Sequence, residues 1–205
     1  MKIEIKNRFT GEVIFSDERE NNTIKLTVEK AVNLKINLRG SNLSGSNLSG
    51  INLSGSDLRG INLRGSNLSG SNLSGINLSG SDLRGINLSD SYCRGSNLSD
   101  INLSGINLSG CDFSGCDLSD SNLSGSNLRF AVGNMSIVFS MQLENWRISF
   151  TDEILAIGCQ QHTIKEWREF NDDIIKSMDS SALVWWKKWK DFVFTAIDLS
   201  INKDN

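Results

Sequence analysis

The sequence predicts an all-β solenoid closed at each end by non-repetitive chain, and three observations carry that prediction. From Ile36 to Phe130 the chain is nineteen consecutive five-residue units, most of them Ser/Ile-Asn-Leu-Ser-Gly. Leu stands at every fifth position from Leu38 to Leu128, with only Cys93 and Phe113 as substitutes. A period of five fits neither a helical turn of about 3.6 residues nor the alternation of a continuous strand. It fits a chain that runs straight for a few residues, turns a corner and repeats. The third observation is contrast: glycine almost vanishes after Phe130, and all five tryptophans lie beyond it.

One unit shows what the repeat must do. In Ile51-Asn52-Leu53-Ser54-Gly55 alternate side chains of an extended segment share a face. With Leu53 inward, Ile51 points inward too and Asn52 faces water. Ser54 and Gly55 make the bend, Gly because it tolerates positive φ and Ser because it bonds to local backbone. Each unit buries two side chains and cannot fold alone. Stacked coils solve this, because the backbone amides of one coil pair with those above and below. Four sides would close a square coil, although spacing alone leaves the number of sides open.

The repeats resemble the pentapeptide-repeat family, whose fold is a right-handed quadrilateral parallel β-helix with the central Leu or Phe inside. One departure stands out. The family usually places Ala two residues before the central Leu, where this chain has Ser, Ile or Cys. The four sides that the resemblance implies would stack residues twenty apart. Two of the resulting columns, Ile36-Ser56-Ile76-Ser96-Cys116 and Ser41-Ile61-Ser81-Ile101-Ser121, alternate large and small, as close packing in a narrow interior requires. The other two, Ser46-Ser66-Ile86-Ile106-Ser126 and Ile51-Ser71-Ser91-Cys111, alternate less well. Buried serines are expected to find backbone carbonyls, since each left unpaired costs about 1–3 kcal/mol. Residues 41–65 and 66–90 are one block repeated, differing only at Arg64/Ser89 and Gly65/Asp90, which reads as duplication.

Unprotected solenoid ends invite edge-to-edge aggregation, so caps are expected. Residues 1–35 read as a small N-terminal cap. Ile3, Ile5 and Phe9, then Val13 and Phe15, flank a turn at Asn7 to Gly11 as a hairpin, and Thr27 to Val32 make a short helix into the first coil. Residues 36–130 are the β-helix, and residues 131–205 a C-terminal capping or interaction domain, α/β or mostly helical. In that tail Ser136 to Met141, Trp146 to Phe150 and Ile154 to Ile157 read as strands. Thr163 with Glu166 is a capping box opening a helix around Trp167. Ser181 to Ile197 reads as an amphipathic helix with Ala182, Trp185, Trp186, Trp189, Phe192, Val193 and Ala196 near one stripe. Gly158-Cys159, His162, Glu166-Trp167 and the Trp-Trp-Lys-Lys-Trp-Lys run resemble the tail of pentapeptide-repeat proteins from phages and prophages, a tail for which the family supplies no established activity.

Composition narrows the function. With 21 basic and 24 acidic residues the net charge is −3, which announces neither nucleic-acid binding nor a polyanion. The sequence shows no signal peptide and no apolar run long enough to span a membrane, so a cytoplasmic location is expected. Cys93, Cys111, Cys116 and Cys159 lack zinc or redox spacing, and the first three fall on inward positions as buried thiols. Neither metal nor cofactor is expected. His162 beside Cys159 and Glu166 suggests a nucleophilic pair only weakly, because no oxyanion donor or third group accompanies it. Repeat glycines are corners, not a phosphate loop. The protein is therefore read as no enzyme.

Two surfaces remain. Trp185, Trp186 and Trp189, interleaved with Lys187, Lys188 and Lys190, sit mostly on one helical stripe with the lysines on the other, as core packing would have it. An exposed member would instead make a partner contact or a homodimer through residues 131–205. The second surface is charge. Residues 36–85 carry Arg39, Arg59, Arg64 and Arg84 against Asp57 and Asp82, while residues 86–130 carry Arg94 and Arg129 against Asp90, Asp100, Asp112, Asp117 and Asp120. A four-sided coil puts Asp100, Asp117 and Asp120 on one face. Quinolone-resistance members of the family are similar rods that bind DNA gyrase by mimicking duplex DNA. The resemblance thus implies, as one alternative, an inhibitor of gyrase or of another DNA-binding enzyme such as a host-defence nuclease. Against this, fourteen of the nineteen outward positions are Asn and only four are Asp. The favoured expectation is a non-catalytic interaction or scaffold protein of phage or prophage type, whose rod is a spacer and whose tail contacts a protein partner.

Overall fold

The structure is a computed structural model that describes residues 1–134 and 136–201. Parallel bridges join Asn42 to Asn62, Asn47 to Asn67, Asn52 to Asn72 and Asp57 to Asn77, and continue at the same spacing to Asp112 and Val132. One coil is therefore twenty residues, four sides of one unit each. That spacing fixes the number of sides, which the sequence period leaves open.

Side-chain placement follows the alternation. Every central residue from Leu38 to Leu128 is buried, Cys93 and Phe113 included, and Ile51, Ile61, Ile76, Ile86, Ile101 and Ile106 join them. Corners turn after each central residue: the Leu43 carbonyl accepts the Ser46 N–H at 3.3 Å, across Gly45 at φ 67°. A turn with positive φ at its third residue selects Gly there. Asn does more than face water. Asn52 Oδ1 accepts both the N–H and the hydroxyl of Ser54, at 3.1 and 2.8 Å. This Asx-type bond holds the corner and recurs through the rod.

Buried serines find the carbonyls expected of them. Ser66 Oγ donates to Leu43 O at 2.9 Å, Ser91 to Leu68 O at 2.8 Å and Ser96 to Leu73 O at 2.6 Å. Each such carbonyl already closes the corner below, so the hydroxyl ties one coil's corner to the next. Cys111 and Cys116 make the same bond through sulfur, to Leu88 O at 2.7 Å and Cys93 O at 2.6 Å. Burial pushes the Cys116 thiol up to about 11. Ser41 Oγ is the exception, buried without a partner, because no coil lies beneath it.

At the N-terminal end, β1 (Lys2–Asn7) and β2 (Val13–Glu18) form the expected hairpin. β3 (Ser41–Asn42) pairs antiparallel with β1, giving the order β2-β1-β3, so the hairpin covers one side of the first coil. α1 (Ile24–Asn33) starts earlier than the Thr27 expected from sequence, because Thr23 caps it by accepting the Leu26 N–H at 3.2 Å. Lys25 Nζ and Arg8 Nη1 then cap coil carbonyls, at Ser49 O (2.7 Å) and Gly60 O (3.0 Å). Phe9, read from sequence as one of the apolar residues of the hairpin, is 78% exposed at the turn, with Arg8 stacked on its ring.

The tail opens with a four-stranded antiparallel meander, β4 (Phe139–Leu143), β5 (Trp146–Phe150), β6 (Ile154–Ile157) and β7 (Gln160–Thr163). β4 begins later than the Ser136 expected, and β7 has no sequence signal, since Gln160-Gln161-His162-Thr163 is polar and half-buried throughout. α2 (Ile164–Glu169) carries the expected capping box. α3 (Asp172–Met178), capped by Asn171, is an addition to the expected elements, and α4 (Ala182–Ile201) outlasts its expected end at Ile197.

One side chain of this tail replaces a whole coil strand. Gln161 Oε1 accepts the Leu128 N–H at 2.7 Å while its Nε2 donates to Ser126 O at 2.6 Å. Those are the two groups that a further coil would have paired, as Leu108 N–H pairs with Asn127 O and Asn127 N–H with Ile106 O. Gln161→Ala leaves both unpaired, and is expected to cost about 1–3 kcal/mol. Urea unfolding should show a lower midpoint at unchanged slope. Gln161→Glu keeps an acceptor and loses the donor, so its midpoint should lie between the two.

Candidate interaction surface

Asp100 and Asp120 are corner residues, standing where Gly stands in most units, at φ 57° and 56°. Left-handed backbone costs a residue with a Cβ, though Asp bears it better than most. Twenty residues apart, the two are stacked in adjacent coils, and both side chains are exposed. Asp117 lies on the side that leads into the Asp120 corner, also exposed. Its carboxylate accepts the Ser119 hydroxyl at 2.6 Å and N–H at 3.0 Å, bonds that hold it below the usual carboxylate range. Among the described residues none of the three forms an ion pair.

Asp112 behaves differently. It sits on another side of the coil, is 8% exposed, and accepts Arg94 Nε at 2.5 Å and Ser114 Oγ at 2.6 Å. Burial pushes its carboxyl up, but the bonds from Ser114 and Arg94 outweigh burial and leave it low. It is a neutralised structural group and does not join the acidic edge. The two aspartates of the first half are neutralised as well. Asp57 pairs with Arg39 and Arg59, and Asp82 with Arg84, which lowers the Asp82 carboxyl to about 2.

Two carboxylates that the repeat could not reveal extend the edge. Asp152 and Glu153, in the β5–β6 turn, line a cleft of about 710 Å³ together with Ser121, Asn122 and Ser124, which follow Asp120 directly. Their place depends on how the meander docks on the last coil.

Trp185 and Trp186 lie in the tail's core, 6% and 3% exposed, and beside them Trp167 Nε1–H donates to Leu155 O at 2.8 Å. Packed against β4–β6 and α2, these two rings present almost no surface to a partner; Trp189 is half-buried, with Lys188 over its ring at 5.0 Å. The most exposed apolar side chains of α4 are instead Val184 (78%), Phe192 (51%) and Leu199 (74%), with Ile201 less exposed at its end. Phe192, placed in the buried stripe from sequence, faces water. Spacings of eight and seven residues put these three within one helical face. His162, Cys159 and Glu166 have separate tasks. His162 packs edge-on to Phe170 and Trp167 at 4.9 and 5.4 Å, Glu166 serves the capping box, and Cys159 is exposed.

The repeat segment has known counterparts. The family described as pentapeptide repeats (8 copies) matches residues 35–70, 46–85 and 86–125, which implies a right-handed winding of the coils. Among solved structures, the pentapeptide repeat protein Rfr23 of the cyanobacterium Cyanothece 51142 is 34% identical, over 45% of this chain and 61% of its own, at a TM-score of 0.42. A pentapeptide repeat protein from Nostoc Pcc 7120 is 26% identical, over 55% of this chain and 100% of its own, at 0.29. QnrB1, a plasmid-mediated fluoroquinolone resistance protein, is 18% identical, over 42% of this chain and 57% of its own, at 0.29. This chain thus spans less than two thirds of the length of Rfr23 and of QnrB1. No curated protein matches it. Five-residue register, twenty-residue coil and the family match agree: the repeat segment of this chain, residues 35–125, belongs to the pentapeptide-repeat family.

Proposed function

We propose that the protein is a non-catalytic interaction protein of phage or prophage type, with the rod as spacer and the outer face of α4 as the contact for a protein partner. The observation that carries this reading is the exposure of Val184, Phe192 and Leu199 on one face of a helix that buries Ala182, Trp185, Trp186, Val193, Phe194 and Ile197 in the core of the tail. Large apolar side chains grouped on a surface favour protein contact over solvent. A second copy is one occupant this face would suit, giving a homodimer through residues 131–205. Cytoplasmic location belongs to the same reading; no helix among the described residues is long and apolar enough to cross a membrane.

A second reading rests on the unpaired edge at Asp100, Asp117 and Asp120, which would imitate DNA phosphates before a DNA-processing enzyme. Magnitude disfavours it. Duplex DNA carries one charge per about 1.7 Å of axis, hence about six along the ~10 Å of two coils, where Asp100, Asp117 and Asp120 offer three and the neighbouring Asp152 and Glu153 do not close the difference.

Substitutions separate the readings better than truncation, because cutting near Phe130 removes the Gln161 cap. From nuclease-treated lysate, Phe192→Glu is expected to abolish capture of the partner, and Asp100→Lys/Asp117→Lys/Asp120→Lys to leave it intact. Loss on charge reversal alone, with the wild-type complex displaced by duplex DNA, would establish mimicry instead. Sedimentation velocity of wild type and Phe192→Glu detects the self-paired form.

A further inference from the structure

The backbone ladder between coils is complete along the rod but for one stretch, leaving aside the lead-in residues Ile36 to Leu38. Elsewhere each central N–H donates to the coil above, as Leu63 does to Asp82 O and Leu103 to Asn122 O, both within 2.9 Å. Between residues 80–85 and 99–104 four ladder bonds are missing, those expected of the Gly80, Leu83, Gly85 and Asn102 amides, whereas Asn107 keeps its bridge to Asn87. The bridge that should join Asp82 to Asn102 is missing too, although Asp82 bridges Asn62 below and Asn102 bridges Asn122 above. Corner bonds from Ile101 and Ile106 N–H to Leu98 and Leu103 O have gone with them. A surface cleft of about 400 Å³ opens at the same place, between Gly80, Asp82 and Leu83 on one lip and Asp100 and Asn102 on the other.

The side chains explain the gap. Ile101 and Ile106 are the only inward isoleucines in consecutive units, and Ile86 under Ile106 is the only isoleucine stacked on another. A narrow interior accommodates a large side chain over a small one; large over large holds two coils apart. Isoleucine also brings no hydroxyl. Leu58 O and Leu98 O are tied to Ser81 and Ser121 in the coils above them, whereas Leu78 O and Leu83 O face Ile101 and Ile106. Wedge and missing tie coincide on one side. The adjoining sides stay bonded, by Leu78 N–H to Asn97 O and Leu88 N–H to Asn107 O, both at 3.0 Å, and so does the opposite side, by Cys93 N–H to Asp112 O at 2.9 Å.

We infer that this gap is a joint in the rod: the coils part on the side of Asp82 and Asn102 and pivot on the opposite side, near Cys93 and Asp112. The joint divides the basic coils and N-terminal cap from the acidic coils and tail, since the Arg excess lies at 36–85 and the Asp excess at 86–130. Its opening changes the angle between the α4 contact face and the far end of the rod. A rod with this joint is a two-part arm.

Hydrogen exchange followed residue by residue tests the gap. Amides of Gly80, Leu83, Gly85 and Asn102 are expected to exchange at least about tenfold faster than those of Gly60, Leu63, Gly65 and Asp82, their bonded counterparts one coil below. Ile106→Ser, which removes the wedge and supplies a hydroxyl to Leu83 O, should bring the four amides back to the protection of those counterparts. Equal protection in the wild type would overturn the joint, and persistent fast exchange in a folded Ile106→Ser protein would overturn its cause. Should Ile106→Ser fail to fold, the motion is read in the wild-type core. With Cys159→Ser, spin labels at Ser44 and Ser124, on the gaping side, should give a distance distribution at least about twice as broad as labels at Ser54 and Ser114 on the pivot side. Two equally narrow distributions would refute the motion.

Discussion

Gly133→Ala is expected to detach the tail from the rod. Gly133 follows Val132, the last residue bridged into the coil stack, and leads the chain into the tail. A Cβ there would stand 2.0 Å from Val138 O and 2.5 Å from Val138 C, both backbone, so no side-chain rotation relieves it. The Gly133 N–H also donates to Ser140 Oγ at 3.0 Å, fixing the start of β4. A methyl must therefore move a strand that carries the meander, at a cost of more than about 4 kcal/mol, the range reserved for backbone clashes and large cavities. The outcome is readable in two channels. All five tryptophans lie in the tail, so their fluorescence reports tail packing, while far-UV circular dichroism at the β-helix signal reports the rod. Early loss of tryptophan signal with the rod still folded is the expected result. Coincident, wild-type-like transitions would show that β4 yields cheaply.

How much of this is legible in the sequence depends on whether a residue's task is periodic. The burial of Leu38 to Leu128, the Ser–carbonyl ties and the Thr163–Glu166 capping box follow from local spacing, and a sequence displays spacing directly. Gln161 is the opposite case. Its amide imitates a backbone that is not there, and nothing in Gln160-Gln161-His162-Thr163 distinguishes it from a polar loop until β7 is laid against the last coil. Helical periodicity misplaces Phe192 for a related reason: α4 packs against the meander along one stripe, and the boundary of that stripe is set by the partner strands, not by the helix. The acidic edge is half legible. Asp100, Asp117 and Asp120 share a face by arithmetic, but the Arg94 bond that removes Asp112 spans adjacent coils, and Asp152 and Glu153 reach the edge only through tertiary docking. The weak alternation of the column Ser46-Ser66-Ile86-Ile106-Ser126 is visible in the sequence. Its consequence, a parted ladder, emerges only when the coils are stacked.

Phe113→Ala is expected to cost about 3–5 kcal/mol, as for other fully buried phenylalanines truncated to Ala. The column argues for the upper part of that range. Phe113 is wholly buried, with Cys93 twenty residues below it and Gly133 twenty above, so the one oversized central residue lies between the two undersized ones. Volume has been exchanged along the column. Truncation would open a cavity beside a cysteine and a glycine, too small to fill it, and stability falls with residual cavity volume. The same exchange predicts non-additivity. Cys93→Leu alone overpacks against Phe113 and is expected to cost about 1–3 kcal/mol. Phe113→Leu alone leaves a smaller void and should cost less than Phe113→Ala. The double variant Cys93→Leu/Phe113→Leu restores leucine at both central positions, as in the columns around it, and should be more stable than the sum of its parts by at least about 0.5 kcal/mol, the threshold for residues in contact. Urea unfolding of the four proteins closes the cycle. Additive costs would mean that Cys93 and Phe113 were accommodated independently, each by its own neighbours within the coil, and that the column is not the unit of packing.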